Sequence, residues 1–155
     1  MNNKWSVLLG LTVIVLFSAS ILYVSRDVII TDPVDIIELN WDLEMPKCAK
    51  EIFYKSSGVS LLGDGERYSV YECEEEDYIR SSFQWKDDKS SLIVEGFKEV
   101  IYKIRGYGGS EIPKEYTPDL NRDFLSYYKG LEDNSKIYII YIPGVSKIYI
   151  SENIF

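Results

Sequence analysis

The sequence contains no histidine and only two cysteines. Without an imidazole, the chain cannot form a Ser-His-Asp or Cys-His catalytic group, a His-ligated zinc or iron site, or a histidine pH switch. Clusters of Lys and Arg are also missing, and 17 basic against 25 acidic residues give a formal net charge of -8. Because a nucleic-acid surface needs clustered cations to neutralise phosphates, we expect no nucleic-acid partner.

The remaining composition is that of a folded protein. Of the 155 residues, 46% are hydrophobic and 27% are charged, and the chain is too rich in Tyr, Ile and Phe for a disordered one. This length accommodates one domain with at most a short appendage.

A run of twenty residues without a charge extends from Trp5 to Val24. At a rise of about 1.5 Å per residue, a helix of this length spans about 30 Å, the thickness of a bilayer core. Lys4 precedes the run and Arg26 follows it, while Trp5 and Tyr23 lie near its ends, where aromatic rings favour the membrane interface. Residues 5–24 are therefore predicted to cross the membrane.

The same segment has features of a cleaved signal peptide. Leu8–Phe17 resembles an apolar h-region, and Ser18-Ala19-Ser20 offers small residues to a signal peptidase. The apolar run continues past this site to Val24, which favours a retained anchor. Residues 1–25 are accordingly assigned as a transmembrane anchor, with a signal peptide as the alternative.

The charges around the run predict the topology. Lys4 and the amino terminus precede it, whereas several acidic residues follow Arg26, so we place the N-terminus in the cytoplasm and the rest outside. The part of the chain after Lys4 contains 16 basic residues and all 25 acidic ones, which gives it a net charge of -9. Because such a domain repels anionic headgroups, this single-pass protein of the cell membrane is expected to contact the bilayer through residues 5–24 alone.

The part outside the membrane divides into residues 26–45, a linker or first strand, and residues 46–155, an extracytoplasmic α+β domain. In the first piece, alternating apolar residues favour a strand near Asp35–Leu43. In the second piece, Asp64-Gly65 lies between the apolar pair Leu61-Leu62 and the alternating run Arg67–Cys73, which predicts a hairpin.

Apolar residues at helical spacing from Leu92 to Ile104 predict the main helix, with Gly106 as a left-handed cap at its end. Three segments rich in Tyr and Ile follow, separated by turn residues, and predict an antiparallel meander: Phe124–Lys129, Lys136–Ile142 and Lys147–Ser151. The predicted fold class is α+β, an N-terminal transmembrane helix followed by a small antiparallel sheet packed against one main helix. Phe97 and Ile101 are expected to pack on the strand that contains Ile139.

Carboxylates are the candidate ligands for a metal ion. Asp64 and Glu66 flank Gly65 in a motif-like turn, although Asp-Gly is also the ordinary chemistry of a hairpin turn. The acidic run from Glu72 to Asp77 could also hold a divalent cation, but we expect a solvated loop there, because adjacent like charges repel and point in different directions, and we expect no metal site. The sequence has neither an EF-hand pattern nor a phosphate-binding glycine loop, and we expect no cofactor and no catalytic residue.

The two cysteines, Cys48 and Cys73, offer a possible disulfide. In an oxidising compartment they would close a loop of about twenty-five residues and contribute about 3 kcal/mol of stability. Two buried free thiols are the alternative.

Several stretches resemble a family of small membrane-anchored proteins of low-GC Gram-positive bacteria: KEIFYKSSGVSLLGDGERYSVYEC, SSFQW, EIPKEYTPDL, DNSKIYIIYI and KIYISENIF. The most recognisable piece is GDGERY, residues 63–68. Members often have His or Phe just before this turn, where the present chain has Leu61 and Leu62, which argues against a catalytic turn. The resemblance implies location and architecture, and it carries no activity, substrate or cofactor.

These observations favour a non-enzymatic module that binds a protein or peptide at the cell envelope. The alternative is a carboxylate- or metal-dependent envelope hydrolase that uses Asp64, Glu66 or the acidic run.

The full chain should fractionate with membranes and be released only by detergent, because residues 5–24 are long and apolar enough to remain in the bilayer. Immunoblotting of the fractions after salt, carbonate and detergent extraction measures this. Release of the intact chain by salt or carbonate would contradict the anchor.

Overall fold

The computed structural model describes residues 32–58, 64–86, 91–106 and 111–155. Their helices are α1 (Pro33–Trp41), α2 (Glu76–Ser82) and α3 (Ser91–Gly106), with a 3-10 turn at Lys114–Tyr116. Their strands are β1 (Lys50–Ser56), β2 (Gly65–Glu72), β3 (Leu125–Gly130), β4 (Lys136–Tyr141) and β5 (Lys147–Ile154). All neighbours pair antiparallel in the order β1-β2-β5-β4-β3, so the α+β prediction is confirmed for this part of the chain.

The predicted anchor, residues 1–25, lies outside the described residues. In the ranges that are described, no helix is long and apolar enough to cross a membrane.

The strand predicted at Arg67–Cys73 is present as β2, which pairs with β1, and a hydrogen bond of 2.9 Å joins the Ser57 amide to the Glu66 carbonyl. The turn predicted at Asp64-Gly65 is not, because Gly65 already belongs to β2 and pairs with Ile154 of β5. Gly65 opens β2 with a φ of 130°, a value that side chains rarely adopt. The apolar pair Leu61-Leu62 lies outside the described residues.

The meander β3–β4–β5 is also confirmed, with turn residues that adopt positive φ between its strands. Asn134 has a φ of 71° and Gly144 a φ of 75°. Strand β5 pairs with β2 on its other side, so the two hairpins join into one sheet.

Helix α3 covers one face of this sheet and packs on β4, as predicted. Phe97 and Ile101 belong to a core cluster with Tyr138 and Ile140. Ile139 lies in the cluster on the opposite face, with residues of α1 and α2. Phe97 and Ile101 therefore pack on the strand that contains Ile139, as predicted, through its neighbours Tyr138 and Ile140, because successive side chains of a strand point to opposite faces.

Residues 35–43 do not form the expected strand, since α1 extends from Pro33 to Trp41. Pro33 suits the first helical position, and Asp35 in the first turn complements the helix dipole. Ile37 and Trp41, one helical turn apart, are the buried residues of this helix. Alternation and helical spacing both occur in the segment, and packing against the sheet selected the helix.

Two smaller predictions also failed. The end of the acidic run is not a loop, because Glu76 and Asp77 form the first turn of α2, where carboxylates favour the positive end of the helix dipole. Gly106 is the last residue of α3 rather than a left-handed cap beyond it.

Gly96 allows α3 to approach β4 closely. A Cβ atom added there would lie inside the space of the Tyr138 ring, whereas one added at Gly106 would meet nothing within 4 Å. Gly96 is therefore required by packing, although glycine usually weakens a helix interior.

Gly96→Ala should destabilise the domain by roughly 1–3 kcal/mol, because the buried Tyr138 ring must move. The matched variant Gly106→Ala should be neutral or stabilise by up to about 1 kcal/mol. Urea unfolding followed by circular dichroism measures both changes, and equal stability of the two variants would contradict this packing.

Candidate functional site

A cleft of about 260 Å³ opens between α1 and the β1-β2-β5 side of the sheet. We call it the α1 cleft. Helix α1 contributes an apolar wall, and the strands contribute most of the polar groups. Its lining consists of Pro33, Ile36, Ile37, Glu51, Tyr54, Arg67, Ser69, Tyr71 and Glu152.

An irregularity in β1 brings two of these residues to the cleft. The register with β2 shifts between Glu51 and Phe53, so that Glu51 pairs with Tyr71 and Tyr54 pairs with Ser69. Phe53 faces the other side, where its ring stacks on Tyr116 at 4.6 Å between centroids. Because the extra residue reverses the alternation, Glu51 and Tyr54 line the same cleft although they are three positions apart.

Glu152 is the buried acid of the cleft. Its side chain accepts a hydrogen bond of 2.6 Å from Trp41 Nε1, and the residue is only 3% exposed. Burial raises the pKa of Glu152, and the nearby Glu51 carboxylate adds to this, while the Trp41 hydrogen bond and the charge of Arg67 oppose it. Arg67 lies directly opposite Glu152 in the register of β2 with β5.

Two hydroxyl groups complete the polar lining. The Tyr71 hydroxyl lies 3.3 Å from Glu51 Oε2 and 3.4 Å from the Pro33 carbonyl, so it can donate to either. Burial and the Glu51 charge raise the pKa of Tyr71. Ser69 is 1% exposed, and its Oγ has no partner in good hydrogen-bond geometry, although its interaction with the Tyr71 hydroxyl lowers the pKa of that group.

Helix α1 is fastened to the sheet at its C-terminal end. Lys129 Nζ, from β3, donates to the carbonyls of Trp41 at 2.6 Å and Asp42 at 2.9 Å. A cation here complements the negative end of the helix dipole and satisfies terminal carbonyls. Together with the Trp41–Glu152 bond, this contact fixes the wall of the α1 cleft.

The structure brings neither Asp64 nor Glu66 to this cleft. Asp64 precedes β2, while Glu66 lies 3.5 Å from Lys103 of α3, in an ion pair on the sheet face that carries α3. In the acidic run, Glu76 pairs with Arg80 at 2.7 Å. No group of three or more potential metal-ligating side chains occurs among the residues that the structure describes.

Cys48 and Cys73 form a disulfide; their Cα atoms are 5.1 Å apart, and the two residues are 25 positions apart in the chain. The bridge ties the segment before β1 to the residue after β2. Cys73 lies in the core cluster beneath α1 and α2, so the bond fixes the chain on the cleft side of the sheet.

Sequence reasoning missed Glu51, Arg67, Trp41 and Glu152 as members of a site. One signal was available for Glu152: in β5 it follows Ile148 and Ile150 at alternate positions, so a carboxylate occupies the apolar face of a strand. Trp41 and Glu152 are 111 positions apart, and no local pattern joins them.

Comparison with protein-family models, curated proteins and solved structures gives no match to this chain.

Stability should depend on pH through Glu152. The pKa of Glu152 in the folded protein lies above its ordinary value of 4.5. At pH values between 4.5 and that raised pKa, the folded protein therefore binds more protons than the unfolded protein. The free energy of unfolding therefore falls as pH rises through that interval. Glu152→Gln keeps an acceptor for Trp41 and removes the ionisation, so its stability relative to the wild type should increase with pH.

Urea unfolding from about pH 4 to about pH 8 measures this difference. Glu95→Gln on the exposed side of α3 is the matched control and should show no comparable trend. A pH-independent difference between Glu152→Gln and the wild type would contradict the assignment.

Proposed function

We propose that this protein is a single-pass, membrane-anchored, extracytoplasmic module that binds a segment of another protein or peptide at the cell envelope. The α1 cleft is the observation that supports binding: it combines an apolar wall with a few polar groups, the usual composition of a recognition site. The α1 cleft suits binding better than catalysis, because the side chain of Glu152 is buried and already accepts a hydrogen bond from Trp41.

The proposed location depends on residues 5–24, the predicted membrane-spanning segment. Eight residues separate Val24 from Pro33, and a fully extended chain of that length spans at most about 30 Å. A module on so short a tether would meet partners close to the membrane surface. The Cys48–Cys73 disulfide is consistent with an oxidising compartment outside the cytoplasm.

A carboxylate-dependent envelope hydrolase is the second candidate. It is favoured by the presence of two carboxylates, Glu51 and Glu152, in one cleft, together with a burial-raised pKa of the kind that general acids have. Against it, a residue that is 3% exposed offers a substrate little access to its carboxyl group. A metal-dependent form would use Asp64, Glu66 or the acidic run.

Site-specific photo-cross-linking in intact cells tests the binding proposal. A benzophenone amino acid at Tyr54, which is 52% exposed at the cleft, should give one discrete adduct with a partner protein. The same label at Tyr102 on α3 is the control, because that side chain is 78% exposed and does not line the cleft.

Equal adducts at both positions, or none at Tyr54, would contradict binding at the α1 cleft. A rise in melting temperature at micromolar calcium or magnesium would instead favour the metal-dependent hydrolase.

A further inference from the structure

We infer that the partner segment binds in extended form, as a strand added to the outer edge of β1, and directs an apolar side chain toward the α1 cleft. The inference rests on the proposed binding function and specifies the conformation and chemistry of the bound segment.

The hydrogen bonds between β1 and β2 show which backbone groups of β1 point outward. Strand β1 is an edge of the sheet that the structure describes, with β2 as its neighbour. Just beyond β1, the Ser57 amide donates to the Glu66 carbonyl at 2.9 Å, so these two residues form a hydrogen-bonded pair. Bonded and non-bonded pairs alternate along an antiparallel ladder, and the register is regular back to Phe53. Tyr54 and Ser56 therefore occupy non-bonded pairs, and their N–H and C=O groups point away from β2.

These outward groups can bind another strand. Tyr54 is 52% exposed, and no backbone hydrogen bond from another described element reaches Tyr54 or Ser56. Open N–H and C=O groups along an edge are a template for a further strand. An antiparallel segment opposite Tyr54 and Ser56 would exchange two hydrogen bonds with each of them. This is recognition by strand addition, in which the main chain of the partner supplies the affinity.

The α1 cleft lies on the face to which such a strand would direct alternate side chains. Tyr54 lines the cleft, and residues that face each other on neighbouring strands share one face of the sheet. The partner residue opposite Tyr54 would place its side chain near the apolar wall that includes Pro33 and Ile36. Ile36 is 38% exposed, so an apolar side chain here would remove further apolar surface from water. The bound segment is therefore expected to carry an aliphatic residue at this position.

The irregularity in β1 defines where the added strand pairs. The register shifts between Glu51 and Phe53, and a bulge interrupts the even spacing of the edge groups. Pairing is thus expected in the C-terminal half of β1. The other edge, β3, is bridged at Ser126, which exchanges backbone hydrogen bonds of 2.8 and 3.0 Å with Lys86. Strand β1 is the edge that borders the α1 cleft.

The full chain with the benzophenone label at Tyr54, in intact cells, tests the inference through Ser56→Pro. Proline removes one outward N–H and keeps the bonds to β2, because residue 56 lies in a non-bonded pair. Ser56→Ala is the matched control, since it retains the N–H. The adduct yield should fall roughly tenfold with Ser56→Pro, the size expected when one backbone hydrogen bond is lost and its acceptor stays buried. Ser56→Ala should stay within about twofold of the wild type, as for other surface substitutions.

Circular dichroism establishes that both variants are folded, and equal adduct yields for them would overturn the inference. Hydrogen exchange of the purified adduct gives a second measurement that needs no proline variant. The Ser56 amide should exchange at least about tenfold more slowly in the adduct than in the free chain, whereas the Ser57 amide should be slow in both.

Unchanged exchange at Ser56 would overturn strand addition and leave binding at the α1 cleft supported by the adduct itself. Absence of any adduct from the Tyr54 label would overturn the proposed function and this inference with it.

Discussion

Burial of the sheet on both faces is the constraint on which the rest of the structure depends. In β4 every residue after Lys136 is buried, and β5 is buried from Ile148 to Glu152. Strands of this kind need cover on two sides. Helix α3 supplies it on one face, and α1 with α2 supplies it on the other.

The second layer of cover explains why a cleft exists. Helix α1 is held at its C-terminal end by the Trp41–Glu152 bond and by Lys129, but it does not fill the space above β1 and β2. The irregularity in β1 then directs Glu51 and Tyr54 into that space. The same contacts that complete the core thus leave a polar recess beside an edge strand.

Glu152 is a buried carboxylate that lowers the stability of the domain. A buried carboxylate costs stability unless hydrogen bonds and opposite charge compensate it, and here Trp41 and Arg67 compensate only in part, because its pKa stays raised. The raised pKa means that ionised Glu152 weakens the domain at neutral pH.

Local patterns in the sequence determined the main helix and strands β2 to β5, because a periodicity of three to four or of two residues is visible over each segment, whereas the segment of β1 carries both spacings. The stripe from Leu92 to Ile104 became α3, and the turns near Asn134 and Gly144 separate the predicted strands. Only the tertiary structure decided the rest. Asp35–Leu43 carries both periodicities, and docking on the sheet made it part of α1.

The tertiary structure also decided which face of the sheet the side chain of Ile139 lies on and which residues line the α1 cleft. Both alternating faces of Lys136–Ile142 are apolar, so the sequence does not show which of them meets α3. Trp41 and Glu152 are 111 positions apart in the chain, and they meet in a fold whose strand order places β5 beside β2, although β3 follows β2 in the chain. The sequence alone determines which segments can bury apolar side chains, whereas contacts between distant segments determine which polar groups meet, because those contacts form only when the sheet closes.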